Sequence, residues 1–358
     1  MQRALVLARR GWGQTAPNPM VGAVVVQAGE VVAEGFHARF GADHAEVVAL
    51  RSAGERAAGS TLYVTLEPCS HRGQTPPCVD AIVQAGVARV MIAARDPNPL
   101  AAGGVERLRA AGLAVEVGIA EAAARELNAA FFHSFGSELP WVQLKLAVSL
   151  DGAIAARDRR PAWLTGPESR REVHRMRANV DAIAVGLGTA LADDPALTVR
   201  EVPEPRVAPL RIVFDSQANL PLSSTLVRTA REVPTLVVAC EPDEGRAAAL
   251  REAGVELLIA ASLRNALIAL RTRGVRSLVV EGGARLAGSL LEAGLVQRLV
   301  IFQAPVILGA GALNAFAHAP SADPRLAPRA RVVERGSFGD DLMTIYALDG
   351  SSSVHRSD

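Results

Sequence analysis

The amino-acid sequence predicts an α/β protein of two domains, on three observations. A chain of 358 residues exceeds one average domain. Strand-like and helix-like segments alternate along it in two separate runs, the pattern of helices packed on sheets. Between the runs lies "GSELP", residues 136–140, a short turn-forming stretch that breaks both periodicities. The expected division is 1–138, then 139–350, with a frayed tail over 351–358.

Taken in order, "MVGAVVV" and "VVAEGFH" flank "QAGE" and predict a hairpin. A helix over about 44–56, the strand "TLYVTL", a helix from Cys78 to Gly86 and the strand "ARVMIAA" follow. Next come a helix over 101–111, the strand "AVEVGI" and one long helix, "EAAARELNAAFFHSF". This interleaving predicts a three-layer sandwich, and the hairpin makes its sheet mixed. The second run opens with the strand "WVQLKLAVSL" and a helix from Pro167. Strands "DAIAVGLG", "LRIVFD", "TLVVA", "VELLIA", "SLVVEGG" and "LVQRLVIFQAPVIL" follow, with helices between the later ones. "EVPEPRVAP", 201–209, reads as a surface loop. Cys240, in a predicted strand, reads as a core thiol.

Composition narrows the function. Hydrophobic residues make up 49% and charged residues 21%, enough to build an ordinary core. A net charge of +1 gives no electrostatic case for nucleic acid or an anionic membrane. No apolar run reaches the ~18 residues a membrane helix needs. The N-terminus, "MQRALVLARRGWGQTAPNP", reads as a surface helix, since it lacks the small-residue cleavage site of a signal peptide. Three cysteines make a poor disulfide framework for a chain of this length. A cytoplasmic enzyme or binding protein is expected.

Two of those cysteines stand on the proline-bounded stretch "EPCSHRGQTPPC", and "DHAE" lies upstream. Cys69 and Cys78 can be read as a disulfide, as core thiols, or with His44 as metal ligands. The third reading has the most support. One imidazole and two thiolates hold zinc with a fourth position open to water, the arrangement of a catalytic site. Cys69 follows a predicted strand, while Cys78 and His44 each begin a helix, so the three can meet at one end of a sheet. Glu46, two residues after His44, is placed to carry a proton from that water to a leaving amine. His-x-Glu followed by Pro-Cys and a second Cys is the signature of zinc nucleobase deaminases, here with eight residues between the cysteines instead of two.

The second domain offers two features. "SLVVEGGARLAGSLLEAGLV" runs from strand through Gly-Gly to helix, which reads either as a plain turn or as a phosphate-binding helix start. The chain has 37 arginines but a single lysine, Lys145, set between apolar Leu144 and Leu146 on a predicted strand. It reads as a half-buried ammonium that acts on a small group, or as a lysine snorkelling to solvent.

These segments, with "APNPMVGAVVV", "GFHARFGADHAEVVAL", "DPNP" and "TALADDPALTVR", resemble the bacterial bifunctional riboflavin-biosynthesis pyrimidine deaminase–reductase family over nearly the whole chain. The longer cysteine loop is that family's own form of the motif. The resemblance implies a cytidine-deaminase-like α/β/α domain followed by a dihydrofolate-reductase-like α/β domain. Zn²⁺ would be held by His44, Cys69 and Cys78, with Glu46 as proton shuttle and Asn18 and His71 at the pyrimidine. In the second domain it implies NADPH on Ala147, Trp163, Thr189, Asp193, Ser216 and the run Gly283, Ala284, Arg285, Leu286, Ala287, Gly288 and Ser289. Substrate would meet Arg177, Leu197, Arg200 and Glu281, while Lys145 and Asp193 flank the reacting sugar. Arg177 and Arg200 also suit a substrate phosphate, since guanidinium forks onto its oxygens. On residue chemistry alone Asn18 is equally a turn former, His71 a loop stabiliser, and Trp163 a core residue. The family has a serine just before this tryptophan, where the chain has Pro161, with neither hydroxyl nor N–H. The expected partners are a pyrimidine ribotide and a second copy of the chain. Within enzymes, the rival reading is a tRNA-adenosine or cytidine deaminase with an accessory domain. Outside them, it is a metal-stabilised binding module.

Overall fold

A computed structural model describes residues 1–71, 76–160, 162–318, 323, 325, 327 and 329–348. Pro161 and the tail 351–358 therefore lie outside the described residues, as do residues 72–75 of the cysteine loop. The chain divides into two compact units, Met1–Ser137 and Glu138–Asp358.

The first unit contains, in order, α1 (Gln2–Ala8), β1 (Gly22–Gln27), β2 (Glu30–Phe36), α2 (Ala45–Ala53), β3 (Thr61–Val64), α3 (Cys78–Gln84), β4 (Arg89–Ile92), α4 (Gly104–Ala110), β5 (Ala114–Val117), α5 (Glu121–Leu127) and α6 (Ala129–Gly136). Its sheet has the order β2-β1-β3-β4-β5. β1 is antiparallel to both β2 and β3, whereas β3, β4 and β5 run parallel, so the sheet is mixed. Ala23 pairs with Gly35, which puts Gly22 and Gly35 on opposite faces. A Cβ on Gly22 would stand 2.0 Å from the Ala4 carbonyl oxygen, and one on Gly35 2.3 Å from that of Ala45. Thus α1 covers one face and α2 the other, each in backbone contact that only glycine permits. The N-terminal helix is more than a surface element: Ala4, Leu5, Leu7 and Ala8 are buried.

The expected long helix at 121–135 is two helices. Asn128, between them, turns its side chain to the backbone of Met20, accepting from the N–H at 2.8 Å and donating to the carbonyl at 2.9 Å. A buried amide that satisfies a distant backbone outweighs continuation of the helix.

The second unit contains β6 (Trp141–Val148), β7 (Ala153–Ala155), α7 (Pro167–Ala178), β8 (Ala182–Gly186), α8 (Leu187–Asp193), β9 (Leu210–Phe214), α9 (Thr225–Arg228), β10 (Thr235–Ala239), α10 (Glu244–Glu252), β11 (Glu256–Ile259), α11 (Leu263–Thr272), β12 (Ser277–Glu281), α12 (Ala284–Glu292), β13 (Arg298–Gln303), β14 (Leu313–Asn314), β15 (Arg331–Phe338) and β16 (Asp341–Ala347). Its nine-stranded sheet has the order β11-β10-β9-β8-β12-β6-β13-β16-β15, and β7 pairs with β14 apart from it. The strands from β11 to β13 are parallel, while β16 and β15 close the sheet antiparallel. Alternate residues of β6 (Val142, Leu144, Leu146, Val148) enter one core, and Val279, Val300 and Phe302 help build the other face. Strands β15 and β16 and helix α8 carry no clear sequence signal, because β15 is a half-exposed edge strand and α8 spans two turns only. No helix of the described residues is long and apolar enough to cross a membrane.

Candidate active sites

In the first unit, loop and helix ends bring together residues distant in sequence. His44 is the residue before α2, Cys78 opens α3, and Cys69 lies beyond β3. His44 Nδ1 stands 3.1 Å from Cys78 Sγ and 3.6 Å from Cys69 Sγ, and the three ligand atoms all lie within 4.8 Å of one another. Tetrahedral zinc with ordinary bond lengths requires nitrogen–sulfur edges of about 3.6 Å and a sulfur–sulfur edge of about 3.8 Å. The donor set therefore fits zinc in both chemistry and size, and the disulfide reading is excluded because both cysteines are free. A hydrogen bond from Cys78, together with His44, holds the Cys69 thiol well below its ordinary value, which favours the thiolate that zinc takes as ligand. Cys78 shares that proton and is buried, which pushes its own thiol up.

Glu46, on the first turn of α2, is 3% exposed and lines the same cavity of about 220 Å³. Burial raises its pKa, more than neighbouring His44 lowers it. Asn18 and His71 also line the cavity. Three further groups there escaped the sequence reading. His37, 2% exposed, meets the His44 ring edge-on at 5.3 Å, with Nδ1 3.1 Å from the Asp43 carbonyl oxygen and Nε2 3.2 Å from Asn18 Nδ2. Asp96, inside "DPNP", is raised to about 6, chiefly by burial. Glu67 accepts from the N–H groups of Asp96 and Val105 at 3.1 and 3.0 Å, tying the loop after β4 to the cysteine loop. None of the three carried a local signal of its own: His37 merely ends the predicted strand "VVAEGFH".

In the second unit a cavity of about 1720 Å³ opens at the carboxyl ends of the parallel strands. The strand order reverses between β8 and β12, which is where open α/β sheets take ligands. Gly282 and Gly283 sit there with φ of +78° and +74°, and a Cβ on Gly283 would stand 3.0 Å from Thr189 Oγ1. These left-handed residues bare the backbone N–H groups at the start of α12, which suits a phosphate.

Among the residues expected at the cofactor, Ala147, Trp163, Thr189, Asp193, Ser216, Gly283, Ala284, Arg285, Leu286 and Ser289 line the cavity. Ala287 and Gly288 do not: Ala287 is fully buried, and a Cβ on Gly288 would meet the His318 carbonyl oxygen at 2.9 Å. The helical period turns these two into the protein. Trp163 is 79% exposed, which rules out the core alternative, and Arg170 lies over its ring at 5.1 Å. Cys240 corrects the sequence expectation: it is exposed, one residue past β10, and lines the cavity instead of the core.

Lys145, Arg177, Leu197, Arg200 and Glu281 line the same cavity. Arg177 forks onto Glu281 at 2.5 and 2.8 Å and donates from its third nitrogen to the Thr198 carbonyl at 3.0 Å. All three guanidinium nitrogens thus serve the protein. Arg200 is exposed, with Nη1 donating to Thr198 Oγ1 at 2.8 Å. Burial pushes the Lys145 ammonium below its ordinary pKa despite nearby Glu281, and its Nζ lies 5.7 Å from the Phe302 ring centre. Burial raises the Asp193 carboxyl. Arg170, His174 and Arg177 follow at helical spacing on α7 and all line the cavity; this i, i+4, i+7 pattern was readable but unassigned.

Comparison with known proteins covers both units. Residues 1–94 match the cytidine and deoxycytidylate deaminase zinc-binding region, and residues 140–342 match the RibD C-terminal domain. Riboflavin biosynthesis protein RibD of Aquifex aeolicus (strain VF5) is 45% identical over 349 residues, covering 97% of this chain and 97% of that protein. That of Escherichia coli (strain K12) is 44% identical over 336 residues, covering 87% and 88%. Among solved structures, Acinetobacter baumannii RibD matches with a TM-score of 0.83 at 36% identity, covering 97% of each chain. The diaminohydroxyphosphoribosylaminopyrimidine deaminase/5-amino-6-(5-phosphoribosylamino)uracil reductase of Thermotoga maritima matches with a TM-score of 0.83 at 34% identity, covering 98% of this chain and 97% of that one.

Proposed function

The chain belongs to the RibD family of bifunctional riboflavin-biosynthesis deaminase/reductases, and on that premise we propose which residues perform its two reactions and on what substrate. The first unit is a zinc-binding deaminase domain with the His44/Cys69/Cys78 site, and the second is a reductase domain, which implies a nicotinamide cofactor. The substrate in this reading is 2,5-diamino-6-ribosylamino-4(3H)-pyrimidinone 5′-phosphate. The observation that carries it is Glu46, a buried carboxyl sharing one small cavity with the zinc ligands His44 and Cys69.

Zinc supplies Lewis acidity that makes water a nucleophile near neutral pH. Glu46 takes the proton from the attacking water and returns it to the departing amine, which leaves as ammonia while oxygen stays on the ring carbon. Its raised pKa suits a group that must hold a proton between those two moments. Asn18 and His71 orient the ring, and His37 fixes the Asn18 amide.

In the second unit NADPH, when bound, would supply hydride chemistry for reduction of the ribosyl chain to ribityl. Lys145 holds the accompanying proton on an ammonium that burial makes readier to release it. Gly283 and the start of α12 cradle cofactor phosphate. Because Arg177 is engaged with Glu281 and Thr198, Arg200 takes the substrate phosphate, and the Arg177–Glu281 pair shapes the floor beside it.

The test is one reaction mixture of enzyme, the diaminopyrimidine ribotide and NADPH, in which ammonia and reduced-cofactor absorbance are followed together. Both should change, with ammonia leading. Ammonia without loss of NADPH would remove the assignment of the second unit. NADPH loss without ammonia would remove that of the first.

A further inference from the structure

Residues 194–200, between α8 and the loop before β9, form a strap along the reductase cavity. Three non-glycine residues in or beside it, Asp194, Leu197 and Glu201, are left-handed, with φ of 38°, 48° and 62°. L side chains rarely adopt that conformation, so something must hold it. Among the described residues, residues 195–200 make no backbone–backbone hydrogen bond. Side chains from other elements hold the strap instead. Thr225 donates its N–H and hydroxyl to the Asp194 carboxylate, both at 2.7 Å. Arg211, 1% exposed, donates to the Ala196 carbonyl at 3.2 Å, and Arg177 to that of Thr198 at 3.0 Å. The last tether is of another kind: His174 accepts from the Arg200 N–H, with Nδ1 3.2 Å away.

We propose that His174 is a positioning residue for the reductase: its Nδ1 holds the Arg200 backbone so that the Arg200 side chain meets the substrate phosphate. The inference rests on the reading of Arg200 as a phosphate ligand. His174 is 7% exposed and sits on α7 one turn before Arg177, so a single helix pins the strap at both Thr198 and Arg200. Since Nδ1 faces an N–H, it must be the unprotonated nitrogen, and the ring is a neutral Nε2–H tautomer. The role therefore depends on an acceptor at the Nδ1 position, not on ring volume or charge. An asparagine at 174 can offer Oδ1 there, whereas glutamine carries its oxygen one bond further out, near the Nε2 position.

The experiment uses the full-length zinc enzyme, with KM and kcat for NADPH-dependent reduction of the deaminated ribotide. Deamination by the same preparations reports folding. His174→Asn should keep KM within about twofold of the parent. His174→Gln and His174→Leu should raise it about five- to tenfold, the effect of one lost hydrogen bond, with kcat nearly unchanged. If Asn and Gln behave alike, the positioning role is overturned, and that comparison decides even where Leu fails to fold. Arg200→Ala separates the two layers of inference. An unchanged KM in Arg200→Ala would remove the phosphate reading itself. A raised KM there with no Asn–Gln difference would leave that reading and remove His174.

Discussion

Lys145 and Glu281 are register partners on the neighbouring parallel strands β6 and β12, and the carboxylate of the pair is claimed by a third residue, Arg177. Glu281 therefore lends Lys145 charge stabilisation without the direct ion pair that would hold its proton fast. Lys145→Arg keeps the charge but brings a planar, more basic head that does not release its proton at neutral pH. NADPH oxidation should fall at least a hundredfold, the scale of lost general-acid catalysis. Ammonia release should stay at the parental rate. Parental NADPH turnover would make the single lysine incidental.

Glu46→Gln preserves shape and leaves the His44, Cys69 and Cys78 ligands in place. The variant should bind one zinc by metal analysis yet release ammonia at least a thousandfold more slowly, since the proton carrier is gone. Removing zinc with a chelator should abolish deamination while NADPH oxidation on deaminated substrate continues. Deamination by the Gln variant at the parental rate would take Glu46 out of the mechanism.

The Arg177–Glu281 pair has side chains only 12% and 13% exposed. Arg177→Leu strands a buried carboxylate and should cost about 3 kcal/mol or more of stability. Arg200→Ala, at an exposed position, should change stability by less than about 0.5 kcal/mol. Urea unfolding of the two variants against the parent checks this ordering.

Asp96 gives a stability dependence of definite sign. Its folded pKa of about 6 exceeds the ordinary carboxyl value of 3.8, so the folded state binds protons more tightly than the unfolded one. Its relative contribution is most favourable below pH 3.8 and is lost as pH rises through about 6. Asp96→Asn removes the buried charge. It should be more stable than the parent at pH 7, and the gap should shrink as pH falls from 7 to 5. Denaturant midpoints at the two pH values measure it, and a gap that widens toward pH 5 would contradict the burial argument.

Much of the deaminase site was legible because its signals are chemical and local. Two cysteines beside prolines, a histidine two residues before a glutamate, and predicted element ends under each are all visible along the chain. The lone Lys145 was legible for a compositional reason. By contrast, His37, Asp96 and His174 are bonded to Asn18, Glu67 and Arg200, remote in the chain or joined through backbone atoms. Backbone groups have no residue identity to read. The break at Asn128 was hidden for the same reason, since its partner is the main chain of Met20, 108 residues away.

By itself, then, the sequence determined the two-domain α/β plan and the zinc-ligand chemistry, and it singled out Glu46 as the candidate proton carrier, because each depends on residue type and short-range spacing. Only the tertiary structure decided how Arg177 and Arg200 differ. Arg177 and Arg200 are equal as letters, and they differ because folding sets Arg177 against Glu281 and Thr198 while leaving Arg200 exposed. It likewise decided that Cys240 faces the cavity and that Ala287 and Gly288 turn away from it. The direction of a side chain at an element's end depends on where that element stops and what packs against it, and that is settled by contacts between distant segments.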